Sequence, residues 1–162
     1  MSVMPQHRNM AHAEISVFVH ATENSEKVEK AVRNLVPALG GAVQLSPTEM
    51  RGHHGNPILR FEAELTIREE AFEALRMLLS RLSSMDEDLL RIEFREHLDA
   101  KNGLYLRFDK QQAYLGKVSL GSDNPISVRV RLGFQPCSFD GLKARLEGEE
   151  NTRGSTSHGQ DT

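Results

Sequence analysis

Leu59-Arg60-Phe61-Glu62-Ala63-Glu64-Leu65-Thr66-Ile67 alternates apolar and polar residues at every step, the pattern of a strand with one buried face. Directly after it the period changes. Phe72, Leu75, Leu79 and Leu82 recur at helical spacing, and Thr66 and Glu69 have the separation of a capping box that would open this helix. A strand that runs straight into an amphipathic helix needs a two-layer arrangement to bury both apolar faces.

Upstream, the same pair of elements occurs once more. Ile15, Val17 and Val19 alternate with Ser16, Phe18 and His20. After Ala21-Thr22-Glu23-Asn24-Ser25, the residues Val28, Ala31, Val32 and Leu35 fall on one helix face, with Thr22 or Asn24 as the N-cap. Pro37 and Gly40-Gly41 end this helix, and Ala42 to Leu45 is a weak strand candidate. Arg51-Gly52-His53-His54-Gly55-Asn56-Pro57 is a loop by composition.

Downstream of Leu82, Ser83-Ser84 interrupts the helix and Asp86 is a cap candidate for another, with Leu89, Leu90, Phe94 and Leu98 turned inward. Leu90, Ile92 and Phe94 also alternate, so residues 86–98 fit strand as well as helix; helix is the preferred reading. After the turn Asp99-Ala100-Lys101-Asn102-Gly103 come a strand through Leu104, Leu106 and Phe108 and a helical turn from Lys110 to Leu115, closed by Gly116. Val118 and Leu120 then read as one arm of an antiparallel hairpin whose other arm is Ile126, Val128, Val130 and Leu132, with Gly121-Ser122-Asp123-Asn124-Pro125 as the turn. Strands and helices do not alternate regularly, which disfavours a parallel doubly wound sheet. The expectation is an α+β fold of two layers, helices on one face of a mostly antiparallel sheet. The domain is expected to run over residues 14–146, after a polar, flexible lead-in (1–13) and before a disordered acidic tail (147–162).

Composition narrows the function. No apolar run approaches the roughly 20 residues of a spanning helix, no membrane partner is expected, and residues 1–13 hold no secretory h-region. Cys137 is the only cysteine, which excludes an internal disulfide and suits a cytoplasmic setting. The formal net charge of −3 argues against nucleic acid until it is mapped along the chain. Glu62–Asp99 carries eleven acids and five bases, a net of −6, whereas Lys101–Phe134 carries six bases and two acids, a net of +4. A folded chain that shows these stretches on different sides would offer a phosphate backbone a basic face. Charge alone still favours ordinary solvated surfaces.

The richest stretch is Leu104-Tyr105-Leu106-Arg107-Phe108-Asp109-Lys110-Gln111-Gln112-Ala113-Tyr114-Leu115-Gly116. Arg107 points outward from a strand, while Lys110 and Gln111 sit where a helical turn begins, with backbone N–H groups open to phosphate. Asp109 would cap that turn or hold Arg107 or Lys110. Lys117, Arg129 and Arg131 would extend the positive surface, and Tyr105 or Tyr114 would stack on an unpaired base. A sheet face with solvated charges and a structural Arg–Asp pair fits equally well. His53 and Asn56, in the glycine loop, are candidate phosphate or base contacts. Adjacent histidines rarely converge on one ion, so His53 and His54 are not assigned a metal, and a metal-dependent enzyme acting on RNA ranks last. Phosphate-loop, dinucleotide and nucleophile-elbow motifs are missing from the sequence, so no catalytic residue and no cofactor is expected.

Four stretches together resemble one known family: Phe18-Val19-His20-Ala21-Thr22-Glu23 with Lys27 and Val28; Gly52-His53-His54-Gly55-Asn56-Pro57-Ile58; the string from Leu104 to Gly116; and Asp123 to Arg131. The resemblance, over about residues 14–135, is to the archaeal RNA-binding proteins described as predicted exosome subunits, whose fold is similar to that of the ribosomal protein that binds 5S rRNA. It implies a non-catalytic protein that binds structured RNA, rRNA or tRNA, as an accessory to RNA processing or degradation beside exosome or other RNA-processing proteins. It implies no catalytic residues. The competing expectation is an interaction module that forms a homodimer without RNA contact, through an edge strand such as Ile126 to Leu132.

Overall fold

In the computed structural model, which describes residues 11–148, the alternating stretch becomes strand β3 (Pro57–Leu65), and its register fixes the sheet. Strands β1 (Ala13–Val19), β2 (Ser46–Arg51), β4 (Gly103–Phe108) and β5 (Ile126–Arg131) join it in the order β2-β3-β1-β5-β4. Every pairing is antiparallel. Residues 1–10 and 149–162, which hold most of the expected lead-in and tail, lie outside the described residues.

Partners across an antiparallel ladder share a face. Ile15, Ala63, Val128 and Leu106 therefore point one way, and all four are buried. On this side lie α1 (Ser25–Leu35), α2 (Arg68–Ser80), α3 (Ser84–Ile92), a short α4 (Lys110–Tyr114) and α5 (139–148). The opposite side carries Glu14, Ser16, Phe18, Ser127, Arg129, Arg131, Tyr105 and Arg107, all half-buried or exposed. The fold is thus the expected two-layer α+β arrangement, with one open sheet face. None of the described helices is long and apolar enough to cross a membrane.

Several local expectations give way to longer-range forces. Asn24 is the α1 N-cap, its carboxamide oxygen accepting from the Glu26 and Lys27 amides. The Thr66–Glu69 box does not form: Ile67 precedes α2 without a side-chain cap. Ser83, not Asp86, caps α3, which leaves the Asp86 carboxylate to accept from the Leu120 amide at 3.0 Å. Ala42–Leu45 is not a strand. Pro37–Ala42 forms a 3-10 turn, and pairing with β3 begins only at Ser46. Residues 86–98 are helix to Ile92 and then a 3-10 turn from Phe94 to His97; Leu90 and Phe94 face the core.

The hairpin expected between Val118–Leu120 and Ile126–Leu132 is replaced. Leu120 instead bridges Phe108, at the end of β4. β5 lies inside the sheet between β1 and β4, so it cannot be the free edge of a dimer. Buried strands outcompete a local turn because each finds two hydrogen-bonding neighbours.

Long-range polar ties hold α4 in place. The Lys110 ammonium donates to the Phe18 carbonyl at 2.8 Å and meets both Glu23 carboxylate oxygens at 3.1 Å. The Asn34 amide donates to the carbonyls of Ala113 and Tyr114, and Arg81 caps Asn34, Leu35 and Gly116. Partial burial raises the Glu23 pKa, but the His20 N–H, Lys110 and Asn124 outweigh it and leave the carboxyl below its ordinary value of 4.5.

Two outcomes follow for stability. Phe108→Ala removes a fully buried ring at the β4–β5 seam and should cost about 3–5 kcal/mol in denaturant unfolding. A loss under about 1 kcal/mol would contradict this packing. Glu23 binds its proton less readily when folded, so its contribution is present above about pH 4.5 and fades as pH falls through the lower folded value. Glu23→Gln should therefore be less stable than the parent at neutral pH and lose less stability on acidification. Parallel acid limbs in a pH series of unfolding curves would rule this out.

Candidate nucleic-acid interface

The open face is built by register. Tyr105 lies opposite Arg129 and Arg107 opposite Ser127, while Arg131 lies opposite Gly103. Three arginines and an aromatic ring therefore share one side of two adjacent strands. Tyr105 is 42% exposed, and the Arg129 guanidinium lies 5.5 Å from its ring centre. Arg107 is exposed, with no ion-pair partner among the described residues.

Arg129 is held from below by Asp99, whose Oδ2 accepts from Nε at 3.1 Å and Nη2 at 3.0 Å. Asp99 gets its own orientation from the backbone N–H groups of Lys101 and Gly103, each 2.8 Å from Oδ1. Desolvation raises the Asp99 pKa, but these amides and Arg129 lower it further, so the net shift is downward. For Arg129, desolvation lowers the pKa and Asp99 more than restores it. Gly103 makes this possible: a Cβ there would come within 2.5 Å of Asp99 Oδ2 and 2.7 Å of Arg129 Nη2.

Across the same face the charge changes sign. Glu14 and Glu64 are paired on β1 and β3, beside Glu62. Arg60 is engaged by Glu62 at 3.1 Å and packs over Phe18 at 5.8 Å. The basic half of the face is thus β4–β5 and the acidic half β1–β3.

The other sequence candidates do not join this surface. Lys110 is tied to Glu23 and only 11% exposed in its side chain, so its charge is neutralised. Asp109 caps α4 by accepting from the Gln112 amide, which withdraws one backbone N–H from the turn expected to hold phosphate. Gln111 is exposed on α4, beside Lys27 and Tyr114, in a groove on the helical side. Lys117 is exposed near Arg81 and Asp86, off the sheet face.

His53 and Asn56 sit in the β2–β3 turn, on the far edge of the sheet from β4, about 19 Å away at the usual strand spacing. The Asn56 side chain folds over Gly52, whose added Cβ would stand 2.6 Å from its Oδ1. His53 and His54 meet edge to face at 6.2 Å, and among the described residues no three His, Cys, Asp or Glu side chains gather as a metal would require. Cys137 is exposed.

Reading the sequence gave Phe18, Asp99 and Glu23 no role in the site. The partners of Asp99 and Glu23 lie 30 and 87 residues away and leave no local trace.

Comparison with known proteins identifies the family. An RNA-binding protein of Pyrococcus abyssi is 37% identical over 144 residues, covering 84% of this chain and 93% of that protein. A solved protein of Archaeoglobus fulgidus, described as DUF54, superposes with a TM-score of 0.64 at 36% identity, covering 74% of this chain and 84% of its own. One of Sulfolobus solfataricus, described in the same way, gives 0.66 at 25% identity over 87% of this chain and 98% of its own. The family model described as RNA binding matches residues 12–132, nearly the whole described fold, and the chain belongs to that RNA-binding family.

Proposed function

We propose that this protein binds structured RNA, rRNA or tRNA, without catalysis, through the β4–β5 half of its open sheet face, and that it acts in the cytoplasm as an accessory to RNA processing or degradation beside the exosome. The observation that carries the reading is the set Arg107, Arg129, Arg131 and Tyr105 on one solvent-facing side of two neighbouring strands. Guanidinium groups suit phosphate, and an exposed ring suits base or ribose. Asp99 fixes Arg129 before any ligand arrives, which lowers the entropy lost on binding. Membership of an RNA-binding family supports the class of ligand. The likeness to the ribosomal protein that binds 5S rRNA, drawn from the sequence stretches, points to recognition by shape and backbone rather than by base identity.

A second reading, a homodimer formed by strand pairing, moves to another strand. All six residues of β2 are exposed at a sheet edge, whereas both ends of β4 are bridged, by Leu98 and Leu120. Light scattering that gives a monomer at high concentration removes that reading.

Titration of a structured RNA at increasing salt tests the main one. Affinity should fall linearly in log–log form, and Arg107→Ala should flatten the slope by about 0.9 while weakening all RNA sequences alike. Arg129→Ala should weaken binding more than Arg107→Ala, because it also leaves Asp99 as an unpaired negative charge on the same surface. Salt-independent binding, or arginine variants that bind as the parent does, would refute the assignment.

A further inference from the structure

On the helical side, a groove with a cavity of about 360 Å³ runs between the first turns of α1 and α4. Asn24, Lys27 and Val28 line it from α1; Gln111, Tyr114 and Leu115 line it from α4 and its end. We infer that this groove holds one unpaired nucleotide of the bound RNA, its base against Tyr114 and Leu115 and its phosphate between Lys27 and Lys30. The inference rests on the RNA-binding reading and adds a single-stranded subsite to it.

The chemistry of the lining selects that occupant. The ammonium groups of Lys27 and Lys30 lie 5.8 and 5.3 Å from the Tyr114 ring centre, and neither has a carboxylate partner among the described residues. Glu23 is engaged by Lys110, and Glu29 by Arg33 at 3.4 Å; Glu26, four residues before Lys30, is the other acid of this turn. Two cations beside one ring, neither in a direct ion pair among the described residues, favour an anion. Leu115 is 65% exposed at the lip, an apolar platform next to the ring. Gln111 lines the groove, and its carboxamide carries both a donor and an acceptor, enough for a base edge. The volume suits a single nucleotide and excludes a helix.

The groove also connects to the sheet face. Lys110 lies between them, bonded at once to the Phe18 carbonyl on β1 and to Glu23 at the groove. A strand that leaves the open face at the Phe18 end reaches the groove around this corner.

The test uses the full chain and two RNA duplexes of the same sequence, one blunt and one with a three-nucleotide single-stranded 3′ overhang. The parent should bind the overhang form about tenfold more tightly, the contribution of roughly one stacked base. Lys27→Gln with Lys30→Gln, both on the helix surface, should abolish that preference and leave blunt-duplex affinity unchanged. The salt slope for the overhang RNA should fall by about 0.7 for each phosphate that the variant no longer neutralises. Tyr114→Ala should also erase the preference. Equal parent affinity for both duplexes overturns the groove inference alone, as does a lysine variant that keeps the preference. No binding of either duplex overturns the sheet-face reading and this inference together. A free nucleoside monophosphate that saturates the groove at the overhang's affinity would also overturn it, because the ligand would then be a small molecule.

Discussion

The Lys110 ammonium is the point at which the two halves of this protein are joined. It sits almost out of solvent between a strand-end carbonyl and a carboxylate 87 residues distant. A lysine there without Glu23 would be a buried, unpaired charge, and Glu23 without the lysine would have only the His20 N–H and Asn124 to offset its partial burial. Each group justifies the desolvation of the other. The consequence is positional: the β1–α1 turn and the β4–α4 turn are locked together at the same end of the sheet, with Asn124 of the β5 approach also reaching Glu23 at 3.4 Å. Three of the four stretches by which the sequence resembles the RNA-binding family thus meet at one carboxylate. They look unrelated along the chain because their relation is spatial.

The whole-chain charge of −3 was a poor guide for the same reason. Strand register, not sequence order, decides which charges are neighbours. It puts Arg107, Arg129 and Arg131 side by side, and it places Glu14, Glu62 and Glu64 on the other half of the same face. The division into an acidic stretch, Glu62–Asp99, and a basic one, Lys101–Phe134, was legible beforehand, but not the place of the contrast in the fold. The contrast runs across the open sheet itself. It follows that a polyanion has only about half of that face to use, and that its path is confined to the β4–β5 strands and the end where β1 finishes.

What the sequence made plain was whatever depends on period. The alternation at Leu59 to Leu65 and the helical stripe at Val28, Ala31, Val32 and Leu35 are enforced by burial of one face, and both elements stand where the pattern puts them. What it hid was whatever depends on competition between distant segments. Val118 to Leu120 is as good a hairpin arm as any by composition, yet the end of β4 captures it because β5 is already flanked on both sides. The site followed the same rule. Outward arginines on a strand were readable from alternation; that Lys110 would be neutralised and His53 and Asn56 set on the opposite edge was not, since nothing local records the strand order.

The division of labour among the cations has a physical logic. Lys110 and Arg129 have the same formal charge and both contact a carboxylate, but their partners act differently. Glu23 surrounds the small ammonium and, with the Phe18 carbonyl, uses its donors inward. Asp99 takes only the Nε and one Nη of a planar fork, so part of the guanidinium is left to a ligand while its plane stays fixed beside Tyr105. An ammonium in the Arg129 position has three donors but no fixed plane to aim some at a phosphate while Asp99 takes the others. A guanidinium has that plane, and the proposed function therefore gives recognition to the paired arginine on the open face and a structural role to the paired lysine at the sheet's end.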